Sequence, residues 1–304
     1  MLPKPLTGIV PPLVTPLRDR DTLDVAALER LLEHVLAGGV HGLFLLGTTG
    51  EGPSLSWRVK AEVVEHGCRL VAGRVPVLVG VTDPSFVDAL RLAERAAAAG
   101  ADAVVIAPPY YLPLDQTELA AFVERFAAAS PLPVFVYHIP SLTKVGFEPE
   151  TIRRLLDVPN VIGLKDSGRD MSYQHTVRSI VSRRPDFSQL VGPEELLAEA
   201  VLLGAHGAMC GGANMVPRLY VDLFDAARAG ELDRARELHD RVIRISDALY
   251  TVGGSGSSYF RGLKCALAIR GLCRDVLAEP YEPFGPVERE KIRARLGQLG
   301  IIQT

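Results

Sequence analysis

Short apolar runs alternate with amphipathic helical stretches along most of this chain, and the alternation repeats about eight times. Successive strand candidates lie roughly 20 to 35 residues apart, which leaves room for the right-handed helical crossover that each parallel strand pair needs. The strand candidates cover residues 9–10, 43–46, 77–81, 104–106, 134–137, 161–164, 189–191 and 208–210. The pattern predicts an α/β fold, a (β/α)8 TIM barrel. An open doubly wound sheet would normally show a glycine-rich turn after its first strand, and the segment 10–13 does not fit one.

After the eighth strand the chain becomes wholly helical. Apolar residues recur at helical spacing over residues 217–228, 232–249, 260–270 and 287–299. We interpret the first of these stretches as the last barrel helix and the others as a C-terminal helical extension. The predicted division is therefore a barrel with the catalytic site over residues 1–229 and a helical segment over residues 230–304.

The composition indicates a globular protein with enough apolar residues for a large core. The chain has 304 residues, of which 48% are hydrophobic and 23% charged, and its net charge of -3 gives no reason to expect nucleic acid as a partner. Its start lacks an apolar signal core, and every long apolar run is interrupted well before the length of a membrane span. We expect a cytoplasmic protein that binds no membrane.

Cysteine and histidine spacing gives no sign of a disulfide framework or a metal site. The four cysteines form no CxxC pair, and the seven histidines include no HxH or HExxH motif. The glycine-rich segment 253–258 lacks the P-loop lysine and follows no predicted strand, so we interpret it as a flexible connection. No metal is expected.

Lys165 is the residue that most directly suggests chemistry. Four uncharged residues, 161–164, lead this amine to the end of a strand that is predicted to be buried. Burial favours the uncharged form of an amine, which can attack a carbonyl and form a Schiff base. The alternative is a lysine at the start of a loop whose charged end reaches water. Residues elsewhere in the chain must decide between the two.

Further candidates follow other strands, at the carboxyl end of a barrel, where active sites lie. Thr48 and Thr49 follow the second strand in a glycine-rich turn whose hydroxyl and N–H groups could hold a carboxylate. Alternatively, they satisfy only local backbone groups. Tyr137 ends the fifth strand, and strand alternation places it on the same face as Phe135. Its phenol could transfer a proton at the barrel mouth, or it could be a core tyrosine with a satisfied hydroxyl.

Four motifs occur in order at the predicted strand ends: GTTGE (47–51), PPYY (108–111), YHIPSLT (137–143) and GLKDSG (163–168). Together they resemble the dihydrodipicolinate synthase and N-acetylneuraminate lyase family of Schiff-base aldolases, and the resemblance covers nearly the whole chain. It implies a TIM barrel with a C-terminal helical segment and a homotetramer built as a dimer of dimers. It also implies pyruvate as the 2-keto acid partner and no metal or organic cofactor.

The same resemblance assigns roles to individual residues. It implies that Lys165 forms the Schiff base, that Tyr137 transfers protons, and that Thr48 and Thr49 hold the keto acid's carboxylate and join a proton relay. Tyr111 matches a tyrosine that, in synthases of the family, reaches into the neighbouring subunit's site.

Departures from the synthase pattern concern the second substrate. Leu142 stands where synthases usually carry an arginine that holds a carboxylate, and an alkyl side chain cannot replace a guanidinium. Ser167 and the segment Gly192, Glu194 and Glu195 match positions that contact the substrate in lyases of the family. For the two glutamates, a favourable interaction with the dipole of a following helix is an equally simple explanation.

The resemblance, with these departures, implies a class I lyase that cleaves or forms a carbon–carbon bond of a 2-keto-3-deoxy sugar acid or a sialic-acid-like substrate. Three alternatives stay open at this point. They are a 4-hydroxy-tetrahydrodipicolinate synthase, a dehydratase of related keto-deoxy acids, and a barrel that binds a keto acid without catalysis.

Overall fold

The structure, a computed structural model, describes residues 2–303, in which eight parallel strands form one sheet. The strands are β1 (Gly8–Ile9), β2 (Leu17–Asp19), β3 (Thr22–Leu23), β4 (Leu43–Leu45), β5 (Val77–Gly80), β6 (Ala103–Ile106), β7 (Val134–His138), β8 (Val161–Asp166), β9 (Ser188–Val191) and β10 (Gly207–Ala208). Strands β4 to β10 lie side by side in chain order, and β1 pairs with β10. Each of the eight predicted strands is present. The antiparallel hairpin β2–β3, outside the sheet, was not anticipated from the sequence.

The two ends of the sheet are joined by the chain that follows β1. Pro12 forms a parallel bridge with Phe44 on β4. The Phe44 N–H group donates to the carbonyl of Pro11 at 2.9 Å, and the Leu13 N–H group donates to the carbonyl of Phe44 at 2.8 Å. These bonds bring the first and second parallel strands together, so the sheet curls into a TIM barrel.

Helices follow the strands and cover the outside of the sheet. They are α1 (Val25–Ala37), α2 (Trp57–Val71), α3 (Phe86–Ala98), α4 (Gln116–Ala129), α5 (Pro140–Thr143), α6 (Pro149–Leu155), α7 (Met171–Val181), α8 (Leu197–Leu202), α9 (Pro217–Ala229), α10 (Leu232–Tyr250), α11 (Ser258–Ile269) and α12 (Pro286–Gln298). Asp115 caps α4 in a capping box with Glu118. Between residues 2 and 303, no helix is both long and apolar enough to cross a membrane.

Strand alternation divides the apolar residues into two layers. Phe135 and Tyr137 belong to the cluster inside the barrel, whereas Val134 and Val136 belong to the layer between strands and helices. The predicted alternation in this strand is therefore confirmed. It follows that Tyr137, on the inner face and at the end of β7, lies at the carboxyl end of the barrel.

The last three helices form the predicted C-terminal extension. Helix α10 packs against α9 and α11, and α11 packs against α12. The expected boundary between residues 229 and 230 falls in the short connection between α9 and α10. That the two parts are separate domains stays a prediction.

Candidate active site

Lys165 and Tyr137 are direct neighbours on adjacent parallel strands, because they are paired in the register of β7 and β8. The side chain of Lys165 is buried, with 3% of the residue exposed. Its Nζ atom lies 4.2 Å from the centroid of the Tyr137 ring and 4.8 Å from that of the Phe44 ring. Among residues 2–303, no carboxylate lies within ion-pair distance of this amine. The barrel thus presents a buried, unpaired amine beside a phenol.

The Tyr137 hydroxyl lies between two loops at the barrel mouth. The Thr48 Oγ1 atom is 3.5 Å from it, and the Ser167 Oγ atom is 3.4 Å from it. Both distances are at the long end of the hydrogen-bonding range. The phenol is therefore placed to exchange a proton with a hydroxyl from either the loop after β4 or the loop after β8.

The loop after β4 offers hydrogen-bond donors that the fold leaves unused. The N–H groups of Gly50, Glu51 and Gly52 donate to carbonyls within the loop. Those of Thr48 and Thr49 have no protein acceptor in the described part of the chain. Two free N–H groups beside two hydroxyls form a cradle that suits a carboxylate.

Helix α11 of the C-terminal segment holds this loop from the other side. The Tyr259 hydroxyl lies 2.9 Å from the Thr49 Oγ1 atom. The Lys264 Nζ atom donates to the Glu51 Oε1 atom at 2.5 Å, and both side chains are almost fully buried. The Glu51 Oε2 atom accepts from the N–H group of Ala278 at 2.7 Å. Sequence reasoning missed these contacts, because nothing local indicates which residue a distant helix will meet.

Ser167 and Gly192 pack directly against each other. A Cβ atom on Gly192 would lie 2.0 Å from the Ser167 hydroxyl oxygen, so this position requires glycine. The Gly192 N–H group also donates to the Asp166 carbonyl at 2.6 Å. These contacts place Gly192 beside Ser167, whose hydroxyl in turn lies next to that of Tyr137.

The two glutamates predicted to bind substrate are already engaged with the protein. The Glu194 Oε2 atom accepts from the N–H group of Gly212 at 2.8 Å, and the residue is only 3% exposed. Burial, with the Glu195 carboxylate nearby, raises the pKa of Glu194 to about 7. Glu195 accepts a hydrogen bond from Ser246 on α10. Their role in substrate binding stays a prediction.

Tyr111 and Leu142 lie apart from this buried group. Their exposures are 75% and 55%, and Leu142 occupies the short helix α5. Within residues 2–303, no hydrogen bond links the Tyr111 hydroxyl to Lys165 or Tyr137, and the Leu142 side chain has no group that could form one. The structure therefore brings together Lys165, Tyr137 and the two loops around them, and leaves Tyr111 and Leu142 on the surface.

Comparisons with known proteins agree with this geometry. The sequence profile of the Dihydrodipicolinate synthetase family matches residues 5–299. The probable 2-dehydro-3-deoxy-D-pentonate aldolase YjhH of Escherichia coli is 32% identical over 98% of this chain and 99% of its own length.

Two solved structures share the fold. One is the dihydrodipicolinate synthase of Bacteroides thetaiotaomicron, with a TM-score of 0.94 and 52% identity, covering 97% of this chain and 99% of that one. The other is YagE, a prophage protein of E. coli K12 in complex with pyruvate, with a TM-score of 0.92 and 28% identity over 97% and 99% of the two chains. The chain therefore belongs to the dihydrodipicolinate synthetase family of class I, Schiff-base-forming lyases.

Proposed function

We propose that this protein cleaves or forms a carbon–carbon bond of a 2-keto-3-deoxy sugar acid or a sialic-acid-like substrate, with pyruvate as the keto-acid fragment. The observation that carries the proposal is the Lys165 amine, which is buried without a carboxylate partner and faces the ring of Tyr137. An amine in that setting is a nucleophile for a carbonyl.

The first step is imine formation on Lys165. The Nζ atom adds to the C2 carbonyl of the keto acid and gives a carbinolamine. Tyr137 donates its phenolic proton to the departing hydroxyl, which leaves as water, and an iminium and a phenolate result. Thr48 and Ser167, whose hydroxyls flank the phenol, can stabilise that phenolate by hydrogen bonding.

The carbon–carbon step uses the iminium as an electron sink. The Tyr137 phenolate takes the proton from the C4 hydroxyl, the C3–C4 bond breaks, and its electron pair forms an enamine with C2 and the lysine nitrogen. An aldehyde leaves. Protonation of C3 and addition of water then release pyruvate and restore the amine. Condensation is the same sequence in reverse.

The loop after β4 supports this chemistry by holding the carboxylate of the keto acid. It offers the unpaired N–H groups of Thr48 and Thr49 together with the two threonine hydroxyls, of which that of Thr49 is hydrogen-bonded to Tyr259. Because Tyr259 and the Glu51–Lys264 pair hold the loop from behind, these donors need little reorganisation when the carboxylate binds.

Leu142 favours a sugar acid over a second substrate with its own carboxylate. Its alkyl side chain stands where the synthases' arginine is expected, and it cannot form a bidentate ion pair. The similarity to an E. coli protein named as a probable pentonate aldolase supports the same substrate class, and the similarity to YagE in complex with pyruvate supports the keto-acid fragment.

A second candidate is 4-hydroxy-tetrahydrodipicolinate synthase. It is favoured by one specific observation, the 52% identity with a structure that carries the name of dihydrodipicolinate synthase. A dehydratase would use the same imine, but would remove water from the substrate instead of breaking the C3–C4 bond.

Two experiments test the proposal in order. Borohydride reduction in the presence of pyruvate, followed by peptide mass spectrometry, should show pyruvate attached to Lys165. An unlabelled Lys165 would contradict the lyase, synthase and dehydratase functions and favour a non-catalytic binder. Pyruvate release is then measured over a panel of 2-keto-3-deoxy sugar acids and sialic acids, beside condensation of pyruvate with aspartate semialdehyde. Turnover of the semialdehyde alone would favour the synthase.

We also propose a homotetramer in which Tyr111 reaches a neighbouring subunit. The exposure of Tyr111 and of the adjacent Leu112, 75% and 73%, supports a contact surface at this loop. Light scattering during gel filtration tests the assembly, and a mass of 32.8 kDa in solution would overturn it.

A further inference from the structure

The residues that follow the two catalytic positions form a group of their own on the other side of the barrel wall. Lys165 and Tyr137 face the interior, so Asp166 and His138 face the layer of helices, and these two are also paired in register. Asp166 is fully buried, and His138 is 8% exposed. Buried polar side chains of this kind need an explanation.

His138 is held as a neutral ring by its surroundings. Its Nδ1 atom accepts from the N–H group of Phe147 at 3.1 Å, so the ring proton lies on Nε2. The Nε2 atom faces the Asp166 Oδ1 atom at 3.9 Å, and the ring stacks on Tyr173 of α7 with centroids 4.3 Å apart. Burial lowers the pKa of His138 to about 4, which keeps the ring uncharged at neutral pH.

Asp166 anchors the turn that follows the catalytic lysine. Its Oδ1 atom accepts from the N–H group of Gly168 at 2.7 Å. A Cβ atom at Gly168 would lie 2.7 Å from the His138 ring, so only glycine lets the turn pack this closely. Within residues 2–303, the Asp166 Oδ2 atom and the Tyr173 hydroxyl are both buried without a hydrogen-bond partner.

The anchored turn contains Ser167, which touches the catalytic phenol. The Ser167 N–H group donates to the His138 carbonyl at 2.8 Å, and its hydroxyl lies 3.4 Å from that of Tyr137. A change in the hydrogen bond between Asp166 and Gly168 would therefore alter the position of the Ser167 hydroxyl beside Tyr137.

We propose that Asp166, His138 and Tyr173 form a positioning cluster, in which the Asp166 carboxylate fixes the 167–168 turn and keeps the Ser167 hydroxyl against the Tyr137 phenol. The proposal rests on the proposed Schiff-base function, since it concerns proton transfer by Tyr137. The three residues face away from the substrate and act through Ser167.

The strength of the anchor depends on the charge of Asp166. An ionised carboxylate accepts a stronger hydrogen bond from the Gly168 N–H group than a protonated one does. The titratable groups around Asp166 are Lys165 beside it, His138 on β7, and Asp170 and Tyr173 at the start of α7. Burial raises the pKa of Asp166 to about 7, so the strong anchor is present above that pH and is lost below it.

The test compares the wild-type protein with Asp166→Asn, an isosteric variant that keeps an acceptor oxygen but cannot ionise. At pH 6 the two should turn over at similar rates, and at pH 8 the wild type should be about 3- to 10-fold faster, as expected for losing a charge-assisted bond. In a Ser167→Ala background, the pH 8 difference should disappear. All four proteins should still trap pyruvate on Lys165 when the reaction is run to completion, because none of the variants removes the amine.

Two results would contradict the proposal. One is a ratio of wild-type to Asp166→Asn turnover that is the same at pH 6 and pH 8. The other is a difference in turnover at pH 8 that persists in the Ser167→Ala background. Should Asp166→Asn fail to fold, the pH profile of the wild type is compared with that of Ser167→Ala. A rise near pH 7 that the serine variant lacks supports the proposal, and a rise common to both contradicts it. Failure of Lys165 to trap pyruvate would instead contradict the Schiff-base function, so the two failures differ.

Discussion

Two lysines in this protein are almost completely buried near the barrel mouth, and their surroundings differ. Lys264 is 1% exposed, and its Nζ atom meets the Glu51 carboxylate at 2.5 Å. Lys165 is 3% exposed, and its Nζ atom lies over the faces of two aromatic rings, those of Phe44 and Tyr137. Within residues 2–303, Lys264 has a carboxylate counter-ion and Lys165 does not.

The difference bears on which amine is available to a substrate. The Lys264 amine is engaged by the Glu51 carboxylate, whereas the Lys165 amine has no carboxylate partner in the described part of the chain. An amine that no carboxylate engages can attack a carbonyl, which supports Lys165 as the proposed nucleophile. Burial alone is thus a poor sign of a catalytic lysine, and the absence of a partner is the informative feature.

Lys165→Ala should have the largest effect on activity. Without the amine no imine forms, so we expect complete loss of the borohydride-trapped pyruvate adduct and of turnover. Lys291→Ala, which removes an exposed lysine of α12, is the matched control and should trap pyruvate normally. An adduct that persists in Lys165→Ala would show that another lysine is the nucleophile.

Tyr137→Phe tests whether turnover depends on the Tyr137 hydroxyl or only on its aromatic ring. The variant keeps the aromatic face against Lys165 and removes the proton donor, so we expect turnover to fall by about 10²- to 10⁴-fold. The imine should still form, at a reduced rate, and trapping by borohydride would detect it. Turnover within a few-fold of the wild type would exclude Tyr137 as the main proton-transfer group.

Lys264→Met should mainly lower the free energy of unfolding. It leaves the Glu51 carboxylate buried without its cation, which typically costs about 3–5 kcal/mol. Urea denaturation measures the loss in the free energy of unfolding. The double variant Glu51→Gln with Lys264→Met should recover part of it, and Lys165→Met, which breaks no ion pair, should lose less. Equal losses for the two single lysine variants would contradict the comparison.

Tyr259→Phe should have the smallest effect. It removes the hydroxyl that meets Thr49, a hydrogen bond worth about 0.5–1.5 kcal/mol, so the KM for the keto acid should rise about 2- to 10-fold with a smaller change in kcat. Tyr281→Phe, which removes a hydroxyl from an exposed residue, is the control. An unchanged KM would mean that α11 does not help to hold the carboxylate loop.

Much of the fold follows from local patterns in the sequence. Each predicted strand agrees with an observed one, and the predicted helix at 232–249 agrees with α10 (Leu232–Tyr250). The hairpin β2–β3 escaped notice because its five residues, Leu17–Asp19 and Thr22–Leu23, are too few to show a period. Helix α5 escaped notice for the same reason.

The sequence by itself determined the kinds of elements, the end of the barrel at which Lys165 and Tyr137 lie, and the motifs that identify the family. Only the tertiary structure decided which residues meet there. Thr49 and Tyr259 are 210 positions apart, and Glu51 and Lys264 are 213 apart. No local pattern encodes such pairs, because the closure of the barrel and the docking of α11 bring them together. Whether a buried lysine has a counter-ion is likewise a property of the packed molecule.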